Sequence, residues 1–223
     1  MLTRPRGRSV TRIRIAIIGA GNVGRALGGA WSTAHQVTYG VRTPEDPKYA
    51  DLAQHDSRPA AVVATSADAA RDADVVVLCT PWQSTEQAIA DCGDVAGKVL
   101  VDCTNPLTQD FSALEIGHTT SGAEQVAAWA RGARVCKAMN QIGAPMMNHP
   151  DVEGTPVMFV CGDDEAAKQS TITLVSELGF EVVDAGDLAA ARLLEPYGLL
   201  WIHLALRRGF GTGFAFGLLK GQA

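Results

Sequence analysis

Three glycines near the start of the chain have the spacing that lets a backbone loop hold phosphate groups. Gly19, Gly21 and Gly24 form the pattern G-x-G-x-x-G directly after the apolar run at 13–18. The first glycine would permit a tight turn, the second would let the backbone approach a pyrophosphate, and the third would let a helix pack closely on a strand. The chain has 23 glycines, so the pattern alone is weak, but a strand before it, a helix after it and a second strand on schedule are all expected here. The pattern predicts a dinucleotide-binding loop, with a tight turn that holds no ligand as the alternative.

The end of the second predicted strand favours NADP over NAD. NAD-binding chains usually have Asp or Glu there, to bond the ribose 2′-hydroxyl. The stretch V-T-Y-G-V-R-T-P at 37–44 has no acid, and Glu45 and Asp46 come only after the proline. Arg42 and Thr43 instead stand where a 2′-phosphate would lie, and a guanidinium can give a phosphate two charge-assisted hydrogen bonds. The alternative is that Arg42 is an ordinary solvated arginine.

The stretch C-T-P-W at 79–82 follows the fourth predicted strand. In an open α/β sheet, ligands bind beyond the carboxyl ends of the strands, near the point where the strand order reverses. Residues 79–82, with Thr80 and Pro81 among them, should therefore line the dinucleotide cleft. Trp82 either covers the cofactor or packs against the edge of the sheet.

The sequence offers no obvious acid–base group for the reduction of a carbonyl. None of the three tyrosines lies four residues before a lysine, and no long central helix carries a lysine. Hydride transfer between two flat rings needs position and exclusion of water, and not always a protein acid. We therefore predict no catalytic side chain. The five cysteines are widely spaced, without C-x-x-C, and predict no metal site.

Length, composition and charge narrow the class of partner. The chain has 223 residues, 47% of them hydrophobic, and a net charge of −5. This charge argues against a general nucleic-acid binder and favours small-molecule partners. No run reaches the roughly 18 apolar residues of a membrane span. We expect a soluble, cytoplasmic protein whose first dozen residues, Met1–Arg12, form a poorly ordered tail.

Strand and helix patterns alternate along the chain and predict a doubly wound, parallel, Rossmann-type α/β sheet. The expected strands are at 13–18, 36–40, 61–64, 74–79, 98–101 and 134–137, and the expected helices are at 22–32, 67–71, 84–91 and 122–130. A long loop should cover 103–121. We assign 13–150 to a dinucleotide-binding domain.

The pattern changes slightly after Pro150. Strands are expected at 157–161 and 181–184, and helices at 164–178, 187–207 and 212–219. We assign 151–223 to a small C-terminal α/β extension that packs on the first domain, lines the substrate cleft and could extend its sheet.

Several stretches resemble the NADPH-dependent reductases of the deazaflavin coenzyme F420. They include V-D-C-T-N-P-L at 101–107, S-G-A-E-Q-V-A-A-W at 121–129, A-R-V-C-K-A-M-N-Q-I-G-A at 133–144 and A-R-L-L-E-P-Y-G-L-L-W-I-H-L-A at 191–205. The resemblance runs from about Arg14 to Lys220. The reductase domains of membrane ferric reductases share the first part of this pattern.

The resemblance implies hydride transfer between NADP(H) and coenzyme F420 as co-substrate, by a homodimer. It implies a cleft between the first domain and the C-terminal helices for the deazaflavin, with Met139 and Asn140 on one wall. Asn105 and Pro106 would lie near the nicotinamide. The family pattern, carried over by position, implicates the following residues in cofactor binding: Gly19, Ala20, Gly21, Asn22, Val23, Gly24, Arg42, Thr43, Thr80 and Pro81.

Two other functions remain open at this point. One is an NADPH-dependent reductase of an imine, another small electrophile or a flavin, which for an imine would need a proton donor near Asn105 or His118. The other is a non-catalytic NADP-binding sensor.

His203 lies in an apolar helical stretch, where we interpret it as a core histidine.

Overall fold

The computed structural model describes residues 12–53 and 61–221 of the chain. The predicted N-terminal tail, apart from Arg12, lies outside them. Within these ranges one eight-stranded sheet has the order β3-β2-β1-β4-β5-β6-β7-β8. The strands are β1 (Arg14–Ile18), β2 (Gln36–Val41), β3 (Val62–Thr65), β4 (Val75–Leu78), β5 (Val99–Asp102), β6 (Arg134–Lys137), β7 (Val157–Gly162) and β8 (Glu181–Asp184).

Six α-helices, with a few short 3-10 turns, connect these strands within the described ranges. They are α1 (Asn22–Trp31), α2 (Ser66–Arg71), α3 (Thr85–Asp91), α4 (Gly122–Trp129), α5 (Glu165–Ser176) and α6 (Ala191–Arg207). None of these helices is both long and apolar enough to cross a membrane.

The sheet is covered on both faces, as its apolar strands require. All four residues of β4 are buried, and a strand buried on both sides reads as a continuous apolar run. Helices α1 and α5 pack on one face, where Leu27 and Leu174 join the core. Helices α2, α3, α4 and α6 pack on the other, where Ile89 and Leu194 join a second core layer. The predicted doubly wound α/β fold is confirmed.

The strand order reverses between β1 and β4. The chain moves outward from β1 to β2 and β3, then returns to pair β4 on the other side of β1. The backbone N–H of Gly19 donates to the carbonyl of Gly40 (3.0 Å), and the N–H of Cys79 donates to that of Ile18 (2.9 Å). The ends of β1, β2 and β4 are therefore held side by side, at the place where α/β sheets bind ligands.

The C-terminal part continues the same sheet. Strand β7 pairs antiparallel with β6, and β8 pairs parallel with β7. The expectation that the extension could enlarge the sheet is thus correct, and the antiparallel step lets α6 return across the carboxyl ends of β5 and β6.

The helix predicted at 212–219 is wrong. Glycine recurs at every second position from 209 to 213, which disfavours a helix, and the segment is irregular. Its bonds go to other elements instead. The carbonyl of Phe216 accepts from the N–H of Val157 (2.9 Å), and the indole of Trp201 donates to the carbonyl of Phe214 (3.0 Å) while the two rings stack.

Candidate functional site

A cleft of about 340 Å³ opens where the strand order reverses. It brings together six of the residues that the sequence assigns to a cofactor: Gly19, Ala20, Gly21, Arg42, Thr80 and Pro81. Cys79 lines the cleft as well, as the sequence predicted. Sequence reasoning missed several polar or aromatic lining residues: Tyr49, Ser66, Gln83, Ser84, Gln87 and Asp91. They lie on the segment after β2, at the start of α2, in the short turn before α3 and on α3 itself, so their position depends on how each element is turned.

The glycine loop has the three properties that its spacing predicts. Gly19 has φ +100°, and a Cβ there would lie 3.0 Å from the carbonyl oxygen of Cys79. A Cβ on Gly21 would meet nothing within 4 Å, so this face of the loop is open. A Cβ on Gly24 would collide with the carbonyl oxygen of Gly19. Glycine is therefore required at Gly19 for the turn and at Gly24 for close packing.

Helix α1 begins directly at this loop without a side-chain cap. Gly21 is its N-cap residue and has no side chain that could accept a hydrogen bond from the start of the helix. The first backbone N–H groups of α1 can therefore bind an anion. Asn22 is exposed and Val23 half-buried in the first turn. The guanidinium of Arg25 donates to the carbonyls of Ala20 (3.1 Å) and Lys48 (2.7 Å), and thus joins the loop to the segment after β2.

Arg42 lies just beyond the end of β2 with its side chain exposed on the cleft. No ion pair holds its guanidinium among the described residues. Of the described residues that line the cleft, Arg42 alone has a positive charge and Asp91 alone a negative one. Thr43 is exposed beside Arg42 but does not line this cleft. The cleft thus combines uncapped backbone amides and an available guanidinium, which are two kinds of hydrogen-bond donor that bind phosphate.

The turn after β4 is fixed by two threonines. The hydroxyls of Thr80 and Thr85 share a hydrogen bond (3.0 Å), and that of Thr85 also donates to the carbonyl of Pro81 (3.1 Å). Trp82 is buried and packs against Trp129, with ring centroids 5.3 Å apart. Trp82 does not line the cleft, contrary to the prediction, and of its two alternatives the structure shows packing against the sheet, in the second core layer.

Asn105 and Asn140 come together at the carboxyl ends of β5 and β6. The amide of Asn105 donates to the backbone carbonyl of Asn140 (2.7 Å), and the amide of Asn140 donates to Oδ1 of Asn105 (3.0 Å) and to the carbonyl of Leu194 (3.0 Å). A Cβ on Gly198 would lie 2.7 Å from the carbonyl oxygen of Asn140, so α6 packs directly on this pair. Neither asparagine lines the 340 Å³ cleft.

The two other residues assigned to the nicotinamide and the acceptor are buried. Met139 has no exposed surface and packs in the core next to Ala138 and Ile142. Its φ is +59°, which is uncommon for a residue other than glycine and is a conformation often found at functional sites. Pro106 is buried and contacts the start of α4, since a Cβ on Gly122 would lie 3.2 Å from its ring.

A fully buried charge network lies next to the Asn105–Asn140 pair. The ammonium of Lys137 donates to Oδ2 of Asp102 (2.8 Å), to Oε1 of Glu195 (2.9 Å) and to the carbonyl of Thr104 (2.7 Å). All three residues with charged side chains are buried. Burial alone would lower the pKa of Lys137, but the two carboxylates hold it above its ordinary value.

The remaining polar atoms of this network are also satisfied. Oδ1 of Asp102 accepts from the backbone and the hydroxyl of Thr104, while Glu195 accepts from the N–H groups of Gly122 (2.8 Å) and Ala123 (3.0 Å) at the start of α4. The network therefore links the ends of β5 and β6 with α4 and α6. We refer to Asp102, Lys137 and Glu195 below as the buried triad.

Sequence reasoning missed the buried triad, although part of it left a signal. Asp102 and Lys137 each end an apolar strand, and the two strands are neighbours in which these residues are register partners. Opposite charges at adjacent strand ends could have been paired from the sequence. Glu195 could not, because nothing local shows that its side of α6 faces the sheet.

None of the histidines in the described part of the chain lines the cleft. His203 is exposed on α6, so its interpretation as a core residue is wrong: the apolar stretch around it faces the core only on its other side. His118 is exposed in the long loop with φ +63° and does not line the cleft. No group of three or more His, Cys, Asp or Glu side chains among the described residues is arranged to hold a metal ion.

Comparison with known proteins agrees with this geometry. Residues 14–106 match the family model described as NADP oxidoreductase coenzyme F420-dependent. The F420-dependent NADP reductase of Methanothermobacter thermautotrophicus is 32% identical over 152 residues, which cover 65% of this chain and 66% of that protein.

Two further similarities extend over more of the chain. A crystal structure from Arthrobacter sp. FB24, provisionally named an F420-dependent NADP reductase, superposes with a TM-score of 0.84 at 33% identity, over 93% of this chain and 100% of that one. Metalloreductase STEAP3 of Rattus norvegicus is 27% identical over 188 residues, or 83% of this chain. This chain spans only 36% of the length of STEAP3.

Proposed function

Because this chain belongs to the family of coenzyme F420-dependent NADP oxidoreductases, we propose that it transfers a hydride between NADP(H) and the deazaflavin ring of coenzyme F420. The observation that carries this proposal is the cleft itself. It places the uncapped amides of α1 and the exposed Arg42 on one surface, and the end of β2 has no carboxylate that would repel a ribose 2′-phosphate.

Each part of the cleft has a distinct task in this proposal. The amides and the positive end of α1 bind the pyrophosphate, and Gly21 leaves the backbone accessible. Arg42, with Thr43 beside it, binds the 2′-phosphate, and Thr80 and Pro81 guide the dinucleotide along the end of β4. When bound, NADPH supplies the hydride and the deazaflavin ring accepts it. The protein provides position and excludes water, so no side chain is required as an acid or base.

The acceptor side is proposed to lie along the ends of β5 and β6, on the side of β4 away from Arg42. Asn105 and Pro106 would border the nicotinamide, with Met139 and Asn140 behind the acceptor. The packing of α6 on the Asn105–Asn140 pair supports this assignment. It also supports the division into a dinucleotide-binding domain at 13–150 and an extension at 151–223 that lines the substrate cleft.

A direct assay tests the proposal. The protein is mixed with NADPH and oxidised coenzyme F420, and the bleaching of the visible deazaflavin band is followed. Rapid bleaching with NADPH and slow bleaching with NADH are expected. Binding of NADPH without bleaching would overturn F420 as the acceptor.

A second candidate is reduction of a flavin or another small electrophile by NADPH. The similarity to Metalloreductase STEAP3, a protein named for a different acceptor, favours testing it. The same assay is repeated with flavin, with ferric chelates and with cyclic imines in place of F420. Oxidation of NADPH by one of these, and not by F420, would establish the second candidate.

The homodimer and the cytoplasmic location stay predictions. Three large apolar residues are exposed on α6: Leu193, Leu200 and Leu206. In a dimer, a second copy of the chain would bury them and remove their apolar surface from water. Light scattering after size exclusion measures the mass directly. A monomer at micromolar concentration would contradict the dimer.

A further inference from the structure

The part of the cleft formed by α3 contains a pair of polar side chains with no role in the proposal above. Gln87 and Asp91 lie four residues apart on α3, so they share one face of the helix. Both are exposed, and both line the cleft. The amide of Gln87 donates to Oδ1 of Asp91 (2.8 Å), which holds the two side chains as one unit.

This pair presents hydrogen-bond acceptors to the cleft. One N–H of the Gln87 amide is used on Asp91, and its other N–H stays a possible donor. Oε1 of Gln87 and Oδ2 of Asp91 remain as acceptors, without another partner among the described residues. A ligand group that fits here should offer N–H donors. It should also be uncharged or positive, because a phosphate next to the carboxylate of Asp91 would be repelled.

Two parts of NADP(H) meet both conditions, the adenine ring and the carboxamide of the nicotinamide, but the nicotinamide is proposed above to lie at the ends of β5 and β6, away from Arg42. The pyrophosphate and the 2′-phosphate are anions and belong with the amides of α1 and with Arg42. The adenine ring is neutral, and its exocyclic amino group offers two N–H donors. A planar guanidinium also stacks on flat rings, so Arg42 and the Gln87–Asp91 pair suit the two sides of one adenine pocket.

We propose that the Gln87–Asp91 pair recognises the exocyclic amino group of adenine and selects adenine over hypoxanthine dinucleotides. The inference rests on the proposed function only in that NADP(H) binds in this cleft. In hypoxanthine a carbonyl oxygen replaces the amino group, and at the same position this oxygen would face the carboxylate of Asp91. The pair is thus a specificity determinant for the cofactor and takes no part in the hydride step.

Binding measurements test the inference without any acceptor. NADPH and its analogue with hypoxanthine in place of adenine are titrated against the protein by calorimetry. The unaltered protein should bind NADPH about tenfold more tightly, the scale of one hydrogen bond to a charged group. Asp91→Asn supplies an N–H to the hypoxanthine oxygen, so this preference should nearly vanish. Gln87→Ala should reduce it in part, because Asp91 loses the bond that orients it.

Glu86→Gln is the matched control. Glu86 is an exposed acid on the same helix that does not line the cleft, so the adenine preference should be unchanged in this variant. If the unaltered protein binds both dinucleotides equally well, or if Asp91→Asn keeps the full preference, the inference is wrong while NADP binding stands. If NADPH itself fails to bind, the proposed function and the inference fall together.

Discussion

The cleft and the buried triad lie at the same edge of the sheet, but their polar groups differ in whether they have partners within the protein. In the cleft, Arg42 is exposed and the first amides of α1 have no cap. In the triad, all three protons of the Lys137 ammonium are donated to oxygens of the protein, and the carboxylates of Asp102 and Glu195 accept further N–H or O–H donors.

This difference separates groups that bind from groups that hold the fold. A donor that meets a ligand must be left without a partner, and it tolerates this only where water can reach it. A buried charge has no water, so it must be paired within the protein. Asn105 is intermediate: it is partly exposed, yet its amide is already bonded to Asn140. The pair is therefore better suited to position a ring than to donate to it.

The largest effect is expected from the triad. Lys137→Met leaves two buried carboxylates without their cation, which should cost about 3–5 kcal/mol of unfolding free energy. Chemical denaturation measures this loss. Lys220→Met is the control, since its ion pair with Glu181 is at the surface, and it should cost less than about 1 kcal/mol. Equal costs for the two variants would mean that the triad does not hold the fold together.

A second effect comes from the glycine loop. Gly24→Ala places a Cβ against the carbonyl oxygen of Gly19, so the loop or α1 must shift, at a cost of about 1–3 kcal/mol. The affinity for NADPH should fall as well, because the amides move. Gly29 lies in the same helix, and a Cβ there would meet no atom within 4 Å. Gly29→Ala should therefore leave the stability unchanged or raise it by up to about 1 kcal/mol. Calorimetry and thermal unfolding of both variants give the comparison, and a tolerated Gly24→Ala would refute the packing role.

The elements that the sequence predicted well are those whose signals are local. The valines of β4 and the spacing of Gly19 and Gly24 need no knowledge of distant residues. Because parallel strands end at a common edge, Arg42 and Thr80 could also be placed in one cleft. These features give the fold and about half of the candidate site.

The features that were missed depend on contacts distant in sequence. Glu195 meets Lys137 across 58 residues (195 minus 137), and only the packing of α6 brings them together. Gln87 and Asp91 line the cleft because of the rotation of α3 about its axis, which its sequence does not reveal. The segment at 212–219 is irregular because its glycines disfavour a helix and because α6 and β7 offer it hydrogen-bond and ring partners.

Arg42 should affect binding but not stability. Arg42→Ala removes a guanidinium that makes no ion pair among the described residues, so the unfolding free energy should stay the same. Binding of NADPH should weaken by about 1–3 kcal/mol, the scale of lost bonds to a charged group. NADH has no 2′-phosphate, so its affinity should hardly change. An equal loss for both dinucleotides would remove the phosphate role of Arg42.

The smallest effect is expected where a charge pair is only partly buried. Glu124, at the start of α4, accepts two hydrogen bonds from Arg192 of α6 and one from Ser121, and these lower its pKa from 4.5 to about 2. A carboxyl group with a lowered pKa in the folded state stabilises the protein above pH 4.5 and loses this contribution as the pH falls toward 2. Glu124→Gln should therefore cost at most about 1 kcal/mol at pH 7, and the difference from the unaltered protein should shrink between pH 4.5 and pH 2. Denaturation curves at pH 7 and pH 3 measure both values. A difference that stays constant across this range would show that the charge of Glu124 contributes nothing, and that this half-buried pair resembles neither the cleft nor the triad.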